Sequence, residues 1–392
     1  MHNVAVIGAG KIGSSITRLL AGCGDYQVTV VDKNSDFLTA LNGLERVVTV
    51  EADIHQQADL DRLLRQQSAM VSACAYHENV KLAEAALRAG ISYFDLTEDV
   101  ATADAISALS TQSVARQVFV PQCGLAPGFI SILANSLVQQ FDCSKQSSQR
   151  PESRLIDNLT LRVGALPEFP TNQMMYNLTW STEGLINEYC NPCIAIKQGQ
   201  KVQLQPLEGL ETFSLDGIEY EAFNTSGGLG SLCDSLGGQV DSLSYKTIRY
   251  KGHRYLMNFL INDLKLGERR QLLKKIFENA VAVTKQDVVL IMVSATGQIN
   301  GQFSQLTDSR KVYHRQVDGE HWGAIQITTA ASLCAVLDLY YQQQTPQQGL
   351  VLQEQIELQT FLDNRFGRYY CNLIDKAVGP SAAVMSSDSA LH

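Results

Sequence analysis

Apolar residues open the chain in an unbroken run, Val4-Ala5-Val6-Ile7, which passes directly into Gly8-Ala9-Gly10-Lys11-Ile12-Gly13. Behind the glycines the apolar positions fall at helical spacing, and a second β-branched run, Val28-Thr29-Val30-Val31, closes on Asp32. This pattern predicts a strand, a glycine turn, a helix and a second strand. It then repeats, with strands over residues 47–50, 70–74, 92–95 and 117–120 alternating with helices over 58–67, 79–89 and 102–115. Near-continuous apolar strands separated by amphipathic helices specify a parallel sheet covered on both faces.

The texture changes after Pro121-Gln122-Cys123. Alternating runs over 158–163, 219–223, 243–250, 288–294 and 311–316 read as strands without long helices between them, and Asp318-Gly319 reads as a hairpin turn. Residues 143–153 are polar and are expected to form an exposed loop. Residues 325–341 return to helical spacing, and a helix so rich in alanine and leucine must pack on protein. The predicted fold class is α/β: a doubly wound, Rossmann-type parallel sheet plus a second α+β domain with a mostly antiparallel mixed sheet. The expected division is a nucleotide-binding domain over 1–123, with 325–345 packing back onto it, and a substrate, catalytic and dimerisation domain over 124–324. A C-terminal segment over 346–392 follows, with a mobile tail from about 378.

A chain of 392 residues is long enough for two domains. The net charge of −9, with no basic patch, argues against nucleic acid. No apolar stretch is expected to reach the ~18 residues of a membrane span, and the first strand leaves no room for a signal peptide, so a cytoplasmic protein is expected. Nine scattered cysteines read as reduced thiols. Cys190-Asn191-Pro192-Cys193 is a lone CxxC that reads as a helix end and a turn, so no metal is expected.

The glycines carry the clearest chemistry. In a strand–turn–helix context Gly8 permits the tight turn, Gly10 lets the backbone approach a pyrophosphate, and Gly13 lets helix and strand pack closely. Asp32 can accept from both ribose hydroxyls and would repel a 2′-phosphate, which points to NAD; Lys33 beside it keeps NADP open. Asp53 and Ile54 end the third strand near the adenine side, and Ala75 and Tyr76 lie beyond the fourth, at the crevice where such sheets bind ligands. In Tyr245-Lys246-Thr247-Ile248-Arg249-Tyr250-Lys251-Gly252-His253, alternation places Tyr245, Thr247, Arg249, Lys251 and His253 on one face. Arginine's planar fork suits a carboxylate. Trp180, before a turn capped by Ser181, is expected to frame a pocket. With no Ser-His-Asp arrangement, P-loop or metal box in the sequence, redox chemistry with a dinucleotide is the simplest enzymatic reading.

GAGKIG, AYHENVKLAEAALRAGISYFDLTE, CGLAPGF, TWSTEGLINEY, YKTIRYKGH and QEQIELQTFLDNRFGRYY occur in that order through most of the chain. Together they resemble the saccharopine dehydrogenase group, and within it the lysine 6-dehydrogenase-type members. Ala126 in CGLAPGF stands where the fungal saccharopine reductases carry an acid. The resemblance implies oxidation at a nitrogen-bearing carbon of a lysine-type amino acid, with hydride passing to NAD or NADP. Lysine enzymes release ammonia from the ε-carbon, saccharopine enzymes cleave a secondary amine, and a non-catalytic nucleotide sensor is the competing class. The same resemblance assigns the cofactor to Gly8, Gly10, Lys11, Ile12, Gly13, Asp32, Lys33, Asp53, Ile54, Ala75 and Tyr76. It gives the substrate to Arg249, Tyr245 and Trp180, and the proton to His253, with Tyr76 and Cys123 as rivals. A homodimer with a small amino-acid substrate, and neither nucleic acid nor membrane as partner, completes these expectations.

Overall fold

The computed structural model describes residues 1–142 and 156–371. The loop expected at 143–153 and the tail expected beyond 378 lie outside the described residues.

The first sheet is parallel and seven-stranded. In chain order its strands are β1 (His2–Ile7), β2 (Tyr26–Asp32), β3 (Val47–Glu51), β4 (Ala69–Ser72), β5 (Ser92–Asp95) and β6 (Val118–Val120). Their spatial order, β6-β5-β4-β1-β2-β3, is that of a doubly wound sheet, with the switch point between β1 and β4. Helices Lys11–Gly22, Tyr76–Ala89 and Val100–Ser110 make three of the crossovers. Gly90 ends the second of these in the left-handed conformation, and the Asp99 carboxylate caps the third by accepting from Thr102 N. Helix Tyr76–Ala89 starts three residues earlier than the hydrophobic spacing predicts, so Tyr76 is its first residue.

The second sheet has eight strands and is mixed. It comprises β7 (Ile156–Pro167), β8 (Cys193–Lys197), β9 (Gln200–Leu204), β10 (Glu211–Leu215), β11 (Ile218–Asn224), β12 (Val240–Tyr250), β13 (Asp287–Ile299) and β14 (Gln302–Tyr313). Its main path runs β10-β11-β12-β7-β13-β14, and only β12 and β7 pair in parallel. A small hairpin joins β15 (Arg315–Val317) to β16 (Glu320–Trp322) through Asp318 and Gly319, whose φ angles of 48° and 82° are those of the expected two-residue turn.

Helix Ala324–Tyr341 packs on helix Lys11–Gly22 and on β13. Among the described residues it is the one helix long and apolar enough to cross a membrane, contrary to the expectation that no stretch reaches that length; 83% of it is buried inside the protein. Beyond it, β17 (Gly349–Leu350) adds a seventh parallel strand beside β6, a role that the sequence reading did not give to this segment. Arg365 pairs with Asp25 and Asp338 at 2.6 Å each, and Tyr26 donates to Asp338 at 2.6 Å. A single apolar cluster therefore runs from Val4 and Val28 through Leu333 to Leu161 and Val293.

Candidate active site

The glycine turn is dictated by space. Gly8 has φ +99°, and a Cβ there would lie 2.9 Å from the Ala73 carbonyl oxygen; a Cβ on Gly13 would lie 1.8 Å from the Gly8 oxygen. A Cβ on Gly10 would instead meet nothing within 4 Å, because that position opens on a cleft lined by Gly10, Lys11 and Ile12. Helix Lys11–Gly22 starts there with no capping side chain and no acid in its first turn. Its N–H groups and positive dipole end are left for an anion. Asp32 stands at the end of β2, accepting from Ala9 N at 2.7 Å and from Asn34 N at 2.9 Å. Lys33 is exposed beside it. Asp53 accepts from His55 N at 3.0 Å in its own turn, and Ile54 packs on an apolar cluster behind the sheet. The residues present thus fit a dinucleotide: a cradle without side chains for the pyrophosphate and a carboxylate at the neighbouring strand end.

The cleft, of about 810 Å³, lies between the carboxyl ends of the parallel strands and the second sheet. Ala75, Tyr76, Trp180, Tyr245 and Arg249 all line it. Lys11 reaches across, its Nζ donating to the Thr179 carbonyl at 2.9 Å, and burial holds its ammonium below the usual lysine range. Ser181 caps helix Thr182–Cys190 by accepting from Gly184 N, which sets Trp180 at the cleft wall. A Cβ on Gly184 would sit 2.4 Å from the Trp180 ring, so a larger residue there would displace that ring.

Arg249, on β12, is 2% exposed. Its Nε donates to the Tyr189 hydroxyl at 2.7 Å and its Nη1 to the Ile248 carbonyl at 2.8 Å. Nη2 faces Glu188 Oε2 at 3.8 Å and carries the donors left over. The guanidinium also lies 5.2 Å from the Tyr176 ring centre.

The face that alternation predicted ends sooner than expected. β12 stops at Tyr250, and Gly252 turns the chain with φ +98° into helix His253–Asn258. Lys251 is consequently exposed and paired with Glu219 at 2.8 Å. His253 does not line the cleft; it is 1% exposed behind Tyr189. Its Nδ1 lies 2.8 Å from the Met174 carbonyl, an acceptor only, so Nδ1 carries the proton and Nε2 accepts from the Tyr189 hydroxyl at 3.0 Å. Burial, reinforced by Arg249, pushes the imidazole down to about 3, so it is neutral at working pH. His253 therefore sits outside the cleft and braces Tyr189, which accepts from Arg249 Nε. Cys123 is likewise corrected: it is fully buried, bonded to the Val120 carbonyl at 3.0 Å, accepts from Gln353 at 3.3 Å, and burial pushes its thiol far up. Of the three expected proton carriers, only Tyr76 reaches the cleft.

Sequence reading passed over two carboxylates. Glu98 lies three residues beyond the end of β5, and Glu188 sits on helix Thr182–Cys190; both line the cleft and also a second chamber of about 380 Å³. Burial, aided by Asp99, pushes Glu98 up to about 7. Burial pushes Glu188 up to about 8 against the opposing pull of Arg249. The position of Glu98 was the available signal, because ligands of doubly wound sheets meet residues just beyond the strand ends. Among the described residues no cluster of three or more His, Cys, Asp or Glu could hold a metal ion.

Comparison with known proteins matches residues 4–119 to the saccharopine dehydrogenase NADP binding domain and residues 124–365 to the saccharopine dehydrogenase C-terminal domain. Apo histidine-tagged saccharopine dehydrogenase (L-Glu forming) from Saccharomyces cerevisiae shares the fold, with a TM-score of 0.72 at 14% identity over 90% of this chain and 94% of that one. DAP dehydrogenase from C. glutamicum, solved in complex with DAP, gives a TM-score of 0.45 at 12% identity over 92% of this chain and 95% of that one. With both of its domains matched in order, the chain belongs to the saccharopine dehydrogenase family and is an NAD(P)-dependent dehydrogenase.

Proposed function

We propose that the protein oxidises the CH–NH group of a lysine-type amino acid, with L-lysine as substrate and NAD as the preferred acceptor. The observation that carries this reading is the charge pattern of the cleft. Its lysine and arginine side chains are Lys11, tied across the cleft to the Thr179 carbonyl, and Arg249, whereas Glu98, Glu183, Glu188 and Glu278 put four acids on its lining. One carboxylate clamp in a cleft otherwise rich in acids suits a substrate with one carboxylate and two amines. Saccharopine, with three carboxylates, would set two of them against those acids.

The dinucleotide, which Gly8, Gly10 and Gly13 would hold at its pyrophosphate and Asp32 at its adenosine ribose, would supply the hydride acceptor. Arg249 offers its Nη2 donors to the α-carboxylate, and Trp180 and Tyr76 wall in the aliphatic stem. Loss of hydride from the ε-carbon and of a proton from the ε-ammonium leaves an iminium, which water converts to 2-aminoadipate semialdehyde and ammonium.

Incubating the purified protein with NAD and either lysine or saccharopine, while following reduced cofactor, free ammonia and free glutamate, tests this. Lysine-dependent reduction with ammonia release is the expected result. Saccharopine-dependent reduction with glutamate release, and none with lysine, overturns the substrate; silence with both and with related amines favours a nucleotide sensor.

A further inference from the structure

Glu98 and Glu188 meet at the boundary between the cleft and the second chamber, and their surroundings differ. Glu188 Oε2 is buried without a hydrogen-bond partner, 3.8 Å from Arg249 Nη2. An acid and a guanidinium held that close mirror the head of an α-amino acid, where carboxylate and ammonium are one carbon apart. Glu98 stands beyond the carboxyl end of β5, on the side of the sheet where the glycine turn also lies, with Oε1 3.2 Å from where a Cβ on Gly184 would be. Thr179 and Thr225, each 2% exposed, line the cleft and the chamber with hydroxyls that have no partner. Such orphaned groups mark a site shaped for a polar ligand.

Resting on the lysine-type reading above, we propose that the two carboxylates divide the substrate between them: Glu188 with Arg249 holds the α-amino-acid head, and Glu98 accepts the proton of the reacting ε-ammonium. As the C–H bond gives its electron pair to the nicotinamide as hydride, the N–H electron pair forms the C=N bond and the proton passes to a Glu98 oxygen. The second chamber, lined by Asp99, Asn191 and Arg270, gives that proton a polar route to solvent. Asp99 on its own segment, Glu188 on helix Thr182–Cys190 and Tyr245 on β12 act electrostatically with Glu98, and Lys11, Tyr76, His77, Glu183, Arg249, Arg270 and Glu278 share its two cavities. Its raised affinity for protons places it near neutrality, as suits a base in this step.

The test uses the full-length protein with NAD, L-lysine and 6-aminohexanoate, which lacks the α-amine. Glu98→Gln is expected to lower kcat by about 10²–10⁴-fold with little change in KM and to remove the acid limb of the pH profile, with Glu98→Asp restoring part of both. Glu188→Gln is expected to raise KM for lysine about tenfold or more, an effect larger than its effect on kcat, and to erase the preference for lysine over 6-aminohexanoate. Calorimetric titration of both amines into the protein loaded with NADH reads the same preference without turnover. Retained kcat and pH limb in Glu98→Gln, or equal losses on both amines in Glu188→Gln, overturn the proposal. A wild-type protein that oxidises another amine but not lysine overturns the substrate reading alone, and Glu98→Gln is then judged on that amine. Inertness towards every amine overturns both.

Discussion

The Asp32 carboxylate accepts the backbone N–H of Ala9 at 2.7 Å, so the residue that ends β2 also braces the glycine turn. Its second oxygen accepts from Asn34 N at 2.9 Å. A carboxylate fixed there accepts ribose hydroxyls and repels a 2′-phosphate. NAD is therefore expected to give the higher kcat/KM. Asp32→Ser should lower efficiency with NAD about tenfold or more, the value of a charge-assisted hydrogen bond at ~1.5–3 kcal/mol, while narrowing or reversing the gap to NADP. An unchanged preference in steady-state assays would refute the assignment.

Gly10 and Gly13 should separate binding from folding. A Cβ on Gly13 lies 1.8 Å from the Gly8 oxygen, whereas one on Gly10 enters open space. Gly13→Ala is expected to lower the melting temperature of the cofactor-free protein and to abolish cofactor binding. Gly10→Ala should leave that melting temperature nearly unchanged and weaken binding of the reduced cofactor, measured by quenching of Trp fluorescence.

Removing Arg249 leaves Glu188 buried without its partner. Arg249→Ala should raise the substrate KM by a factor corresponding to about 2–5 kcal/mol, with cofactor affinity nearly unchanged. Arg249→Lys keeps the charge but loses the fork that reaches Tyr189 and Ile248 together, and should recover only part of the affinity. Wild-type substrate affinity in Arg249→Ala would remove it from the site.

His253 makes a prediction about pH and stability. Its imidazole is held near 3 in the folded protein, against about 6.5 when unfolded. As pH falls below about 6.5 the unfolded chain takes the proton and the native one does not, so stability drops by up to ~1.4 kcal/mol per pH unit towards pH 3. His253→Gln should flatten this dependence in thermal melts between pH 6.5 and 4. At pH 8 it should cost about 1–3 kcal/mol by unpairing the Tyr189 hydroxyl or the Met174 carbonyl. The pH profile of kcat should keep its acid limb, which a proton-carrying His253 would lose.

What the sequence revealed follows from how local each requirement is. Gly13 answers to the Gly8 oxygen and Asp32 to the Ala9 N–H, both within one strand–helix–strand unit, so their pattern is legible without the rest of the protein. Arg249 was legible because alternation holds along β12, and His253 was misplaced because one left-handed residue, Gly252, ends that alternation. Glu98 and Glu188 are ordinary acids in sequence. Their character comes from burial in a cleft shared with Tyr245 and Arg249, on segments far away in the chain. The seventh strand, Gly349–Leu350, is too short to carry any periodicity.

The return of residues 349–365 to the first sheet also sets an order on biosynthesis. A nascent chain emerging from the ribosome has all of β1 to β6 early, yet the face of helix Lys11–Gly22 that Ala324–Tyr341 covers stays bare until that helix is made. The pairing of Gly349 and Leu350 with β6, and the Arg365 bridge to Asp25, come later still. The nucleotide-binding half is thus translated ahead of the second sheet and finished after it. Through most of its synthesis it presents an open sheet edge and an apolar helix face, the surfaces that chaperones recognise and that drive premature association.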